Sequence, residues 1–293
     1  MEKIFKHIAI AGLGLIGGSL ARDIKDKGLA DKITGYGRNA ERMKKARALG
    51  IVDECFVGFD TGLDDADLVI IGTPVGMIEP TAKEMAPHLR PGTIVTDVGS
   101  VKAAIVEALE PQMPHGVCFI GGHPISGAEN SGFEAALSGL FANRVCVLTP
   151  TDGSNQQALA RLKLFWERIG SRVVLMDKNT HDRIFAGISH LPHMVAFSLV
   201  NALVDMEDFE KQILEYSAGG FKDFTRIAAS DPVMWRDIAL MNRDNILSAL
   251  GFFETSLAAL KGALIEEDEK KIEELFRKSR DTRQRICMSK RGA

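Results

Sequence analysis

The chain has 293 residues, enough for two domains that each bury a sizeable core. Its 45% hydrophobic and 26% charged content is ordinary for a globular protein, and a net charge of −3 gives no electrostatic basis for binding nucleic acid or an anionic membrane. Each apolar run is interrupted short of the roughly 20 residues that a membrane-spanning helix needs, charges in Met1–His7 argue against a signal peptide, and four scattered cysteines (Cys55, Cys118, Cys146, Cys287) without a Cys-x-x-Cys pair suggest a reducing cytoplasm.

In chain order, short apolar runs predict strands over 7–11, 32–36, 67–72, 93–97, 117–121, 143–149 and 172–176. Amphipathic stretches predict helices over 16–28, 40–49, 76–88, 101–110 and 155–169. Turn residues mark the junctions, as at Thr73-Pro74, Arg90-Pro-Gly92 and Thr149-Pro-Thr-Asp-Gly153. Such alternation predicts a doubly wound, mostly parallel α/β sheet with helices on both faces, over residues 1–176. Past Asp177 the strand signal disappears. Asp177 to Met206 reads as one long apolar helix that Pro192 should kink or restart. Further helices are predicted over 231–249, 251–265 and 267–287, the last two separated by the acidic run Glu266–Glu269. Residues 177–293 should therefore form an all-α domain. Its apolar surface either makes a dimer interface or is buried by the helices among themselves.

Between the first predicted strand and the first predicted helix stands Gly12-x-Gly14-x-x-Gly17. In that context the first glycine permits a tight turn, the second lets backbone amides approach a pyrophosphate, and the third lets helix and strand pack closely. The alternative is a tight turn with no ligand. The cofactor-binding set read from this region is Gly12, Gly14, Leu15, Ile16 and Gly17, with Thr73 and Arg38 from neighbouring strand ends. An acid for the adenosine ribose is normal at the end of the second strand, yet Gly37 stands there. Arg38 suits a 2′-phosphate or a place against adenine, so NAD against NADP stays open.

Gly121-Gly-His-Pro-Ile-Ser-Gly127 follows the apolar run Val117–Ile120, so the His123 imidazole should project from a loop just past a strand end. In open α/β sheets that edge is where cofactor and substrate meet. A loop histidine bonded to backbone is the bland reading; the surrounding glycines favour close approach by a ligand. Asp97-Val-Gly-Ser-Val-Lys102 ends another strand, and Ser100 is expected to cap the helix that follows, with or without contact to substrate or His123. His190 and His193 lie three residues apart without a third ligand in register, which predicts cleft-lining imidazoles and no metal site. Lys222 and Arg226, four apart, share a helical face that is either solvated or an anion pocket.

Taken in order and at compatible spacing, these segments, with Ser189-His-Leu-Pro-His193 and Ser230-Asp-Pro-Val-Met-Trp-Arg236, resemble the prephenate dehydrogenase family, including its arogenate and cyclohexadienyl relatives. The resemblance spans essentially the whole chain. It implies a Rossmann domain (1–176) followed by a helical substrate and dimerisation domain (177–293), a cytoplasmic homodimer, NAD as cofactor with NADP possible, and oxidative decarboxylation of prephenate, or of arogenate. By position it makes His123 the hydrogen-bond partner of the substrate's ring hydroxyl, with Ser100 beside that hydroxyl and His193 near the nicotinamide. It pairs Arg226 with a substrate carboxylate and sets Glu129 and Asp223 in a charged network around that arginine. Ala128 departs from the hydroxyl residue that relatives often carry, and the chain leaves no room for an appended regulatory domain. A β-hydroxyacid dehydrogenase would need a catalytic lysine on the interdomain helix, where this chain has Ser189–His193; a non-catalytic NAD(P)H sensor would usually carry an effector or DNA-binding module.

Overall fold

The computed structural model describes residues 3–127, 132–207 and 216–289. An eight-stranded sheet is built from β1 (His7–Ala11), β2 (Lys32–Tyr36), β3 (Glu54–Phe56), β4 (Leu68–Ile71), β5 (Ile94–Asp97), β6 (Cys118–Pro124), β7 (Val145–Thr149) and β8 (Arg172–Leu175). Its order is β3-β2-β1-β4-β5-β6-β7-β8, parallel except where β6 meets β7. The order reverses between β1 and β4, and the crevice at their carboxyl ends is where such sheets bind ligands. The three-residue β3 escaped the sequence reading because Glu-Cys-Phe is too short to show a period.

Both faces of the sheet are covered, and the pleat sorts side chains between two cores. Ile8 and Ile10 of β1 pack with Leu20 and Ile24 of α1 (Leu15–Asp26) and with Leu162, Phe165 and Trp166 of α5 (Gln156–Ile169). Ala9 and Ala11, on the opposite face, join Ile78 of α3 (Ile78–Met85) and Ile105 and Val106 of α4 (Ala103–Leu109). The remaining helix of this region, α2 (Ala40–Ala48), is capped by Asn39, whose side chain accepts from the Arg42 amide.

After β8 come α6 (Lys178–Phe185), a π-helical turn over Ala186–His190, α7 (Leu191–Glu207), α8 (Gly219–Thr225) and α9 (Pro232–Met241). Pro192 produces no restart. It cannot donate a backbone hydrogen bond, and the wide turn just before it absorbs the mismatch. The helical run Lys178–Met206 and α10 (Arg243–Ile265) are, by length and composition alone, long and apolar enough to cross a membrane. Pro192 and the junction predicted between 249 and 251 are both carried inside continuous helices.

Packing separates the chain into two compact units, with the division after Arg243. Trp235 and Ile238 of α9 belong to the same core as Val75 and Ile78, so α6 to α9 are part of the first compact unit. The second unit holds α10 and α11 (Glu269–Ser289), joined through Glu267 at φ +52°. The helix predicted over 231–249 actually breaks at Asn242, whose side-chain amide donates to the Asp182 carbonyl at 2.9 Å and lies 3.0 Å from Nδ1 of His190.

Candidate active site

The crevice between β1 and β4 has the shape a dinucleotide requires. Gly12 sits at φ +98°, and a Cβ there would come within 2.7 Å of the Gly72 carbonyl carbon. A Cβ on Gly17 would lie 2.2 Å from the Gly12 oxygen, so close packing of α1 onto β1 demands glycine at both positions. Gly14 is different: a Cβ there would meet nothing within 4 Å. Gly14 is also the residue before Leu15 and Ile16 at the start of α1, an end with no side-chain cap and no acidic residue in its first turn. Amides and the helix dipole therefore remain available to an anion. Thr73, just past β4, buries an Oγ1 that has no hydrogen-bond partner among the described residues. An orphaned hydroxyl beside a bare helix N-terminus fits the polar groups of a nicotinamide dinucleotide. Arg38 is exposed just past β2, and the space beside Gly37 is filled by Met43, whose Sδ lies 2.8 Å from where a Cβ would stand.

Two strands along the same carboxyl edge from β4, the antiparallel pairing of β6 with β7 carries β6 past residue 121, so His123 lies within the strand opposite Val147 and not on a loop. The two glycines before it have a packing role. A Cβ on Gly121 would lie 2.5 Å from Oγ1 of Thr149, and one on Gly122 would lie 2.7 Å from the Asp97 carbonyl oxygen. Ligand approach is therefore not what requires them; only Gly127 has open space where a side chain would go. Asp97 secures this strand end from beneath. Its carboxylate accepts from the Gly122 amide at 3.1 Å and the Gly99 amide at 2.8 Å, and it pairs with Lys102; both side chains of the pair are fully buried.

His123 does not stand alone. Its Nδ1 lies 2.8 Å from Nε2 of His181, and Nδ1 of His181 lies 2.8 Å from Oδ1 of Asp182. The same carboxylate receives the Lys102 and Ala103 amides, each at 2.8 Å, and so caps α4. That is the role expected of Ser100, whose side chain makes no cap here. Burial, then the neighbouring His181, Lys102 and His190, hold the His123 pKa well below the usual imidazole value. Burial also lowers His181, and it brings His190 down to about 4. His123 is therefore a neutral imidazole at neutral pH.

A cavity of about 580 Å³ opens in front of His123, lined also by Ser126, Phe185, Ser189, His193 and Trp235. His193 stacks on Trp235 with ring centroids 3.6 Å apart, and its Nδ1 lies 2.9 Å from the Ser189 carbonyl, which fixes the proton on that nitrogen. Burial lowers its pKa, and Arg226 is close enough to lower it further. His190 turns away to Asn242, so His190 and His193 do not converge, and no group of three potential metal ligands occurs among the described residues.

The structure brings His123 and His193 to one cavity, with Arg226 near enough to act on His193. Ser100 does not line that cavity. Asp223 is exposed on α8. Glu129 and Ala128 lie outside the described residues. Sequence reasoning missed His181, Asp182, Trp235 and Arg144, the last an exposed cation at the cavity edge.

The family model described as prephenate dehydrogenase, nucleotide-binding domain, matches residues 20–175, and the one described as prephenate dehydrogenase, dimerization domain, matches residues 177–278. Cyclohexadienyl dehydrogenase of Zymomonas mobilis is 37% identical over 96% of this chain and 96% of its own. Prephenate dehydrogenase of Bacillus subtilis is 35% identical over 100% of this chain and 79% of its own. The crystal structure of prephenate dehydrogenase from A. aeolicus with hydroxyphenyl propionate and NAD+ superimposes with a TM-score of 0.91, at 40% identity over 96% of this chain and 98% of that one. With its dinucleotide crevice, its neutral histidine and these matches across both halves, the chain belongs to the prephenate dehydrogenase family.

Proposed function

We propose that this NAD(P)-dependent oxidoreductase converts prephenate to 4-hydroxyphenylpyruvate and carbon dioxide, the aromatising step toward tyrosine. The observation that carries the reading is a neutral imidazole, His123, held at the wall of a cavity on the sheet edge that also binds the cofactor. Bound along Gly12, Gly14, Leu15, Ile16 and Gly17, with Thr73 and Arg38 at its flanks, NAD supplies the hydride acceptor. His123 accepts the ring hydroxyl proton as the carbinol carbon gains ketone character. Electrons from the departing carboxylate enter the ring, so the ring is its own electron sink. Arg226 pairs with the side-chain carboxylate, the family resemblance adds Glu129 and Asp223 as its charged neighbours, and His193, flat on Trp235, borders the nicotinamide end. Ser100 is assigned a place beside the reacting hydroxyl by the family resemblance alone, since it does not line the cavity.

Arogenate is the second candidate substrate, favoured by the similarity to a cyclohexadienyl dehydrogenase. NAD is the preferred cofactor, with NADP tolerated because no acid stands at position 37. The protein works in the cytoplasm as a homodimer. Leu247, Phe252, Leu257, Leu264 and Ile265 of α10 are all more than half exposed, a surface that a second copy would cover. Turnover followed at the reduced-cofactor absorbance, for prephenate and arogenate each with NAD and NADP, tests the activity. No turnover in any of the four combinations removes it.

A further inference from the structure

We propose that His181 and Asp182 are positioning residues that hold His123 in a single tautomer, with its proton on Nδ1 and its lone pair on Nε2. This rests on the reading of His123 as the proton acceptor. The assignment follows from donors that cannot reverse. Backbone amides only donate, so the Lys102 amide at Oδ1 and the Ala103 amide at Oδ2, each at 2.8 Å, make both oxygens of Asp182 acceptors. The His181 Nδ1 that lies 2.8 Å from Oδ1 must then carry a proton. A neutral imidazole has one N–H, so Nε2 of His181 is an acceptor. The His123 Nδ1 at 2.8 Å from it is therefore the donor, and Nε2 of His123 is left bare.

Geometry leaves little room for another arrangement. His123 is fixed by strand pairing to Val147, and the Phe185 ring lies 4.8 Å from the His123 centroid and 4.4 Å from that of His181. Moving the His123 proton to Nε2 would set two lone pairs against each other across 2.8 Å. It would also leave the imidazole unable to accept the hydroxyl proton. Asp182 thus joins two tasks, closing the start of α4 and setting the protonation pattern of two histidines in series. The same chain of acceptors stabilises the His123 imidazolium once the proton has been taken, because its Nδ1–H then points at a lone pair.

The test is direct. Ring ¹⁵N NMR of the full-length wild type at mildly alkaline pH should show His123 protonated on Nδ1, and His181 protonated on Nδ1. In His181→Leu, which removes the acceptor, kcat should fall roughly 10–100-fold while KM and NAD affinity stay within about 3-fold. His181→Gln, whose side-chain oxygen can take the place of Nε2, should recover much of that loss. A merely structural role predicts lost stability without a change of tautomer and no recovery by Gln. Nδ1 found unprotonated in wild-type His123 overturns the proposal whether or not the Leu variant folds, as does unchanged kcat in a folded Leu variant. Normal turnover by His123→Asn is a separate result: it removes the proton-acceptor reading itself.

Discussion

The neutral histidine cluster behind the cavity makes the fold acid-sensitive, and His190 is where the size of the effect can be worked out. Its side chain is fully buried, Nδ1 faces the Asn242 amide at 3.0 Å, and burial depresses its pKa to about 4. An unfolded histidine titrates near ~6.5. Because the folded value is the lower one, the unfolded chain binds this proton first as pH falls. The stabilisation is complete above the unfolded value, is lost as pH drops through it, and levels off near the folded value. Between about pH 8 and about pH 5 the loss from this one site is about 2 kcal/mol. Burial depresses His123, His181 and His193 as well, so wild type should lose more than that. Urea unfolding of wild type and His190→Gln at both pH values, at one protein concentration, isolates the term. The variant starts less stable, but its loss on acidification should be smaller than wild type's by about 2 kcal/mol. Equal losses in the two proteins would refute the reasoning, since His190 would then not be a buried neutral group.

Replacing His123 with Asn should leave the fold intact and lower kcat by roughly 10²–10⁴-fold, the range for a positioned proton acceptor. In wild type the acid limb of kcat/KM should fall below the ordinary imidazole value, because burial lowers the His123 pKa; a limb at or above that value contradicts the geometry. Arg226→Ala should raise KM about 10–100-fold, the equivalent of one charge-assisted hydrogen bond of about 1.5–3 kcal/mol, with NAD affinity unchanged by titration. Weakened NAD binding with normal KM would move Arg226 out of the substrate site. Gly37→Asp should shift kcat/KM toward NAD by repelling a 2′-phosphate, after the flexible end of Met43 gives way. An unchanged cofactor ratio would mean that position 37 does not face the adenosine ribose.

The nucleotide-binding half was legible because its rules are local. Alternation of Ile8 and Ile10 with Ala9 and Ala11 states a strand with two covered faces, and Gly12, Gly14 and Gly17 state the turn that must follow it. Seven of the eight strands and the change to helices past residue 177 come from such patterns. Errors arose where distant packing overrode the local signal. Pro192 and the junction between 249 and 251 looked like interruptions and are carried inside helices, while Asn242, which looked helical, ends one because its side chain is drawn to Asp182 and His190. The glycines at 121 and 122 looked like room for a ligand and are room for Thr149 and Asp97. By itself the sequence determined a dinucleotide turn at Gly12–Gly17 and a histidine near the end of a later strand, since glycine spacing and strand period are properties of neighbouring residues. Only the tertiary structure decided which nitrogen of that histidine is free to react. That choice depends on His181, 58 positions away, and on Asp182 closing a helix 80 positions away, and hydrogen bonds between side chains so far apart leave no period in the chain.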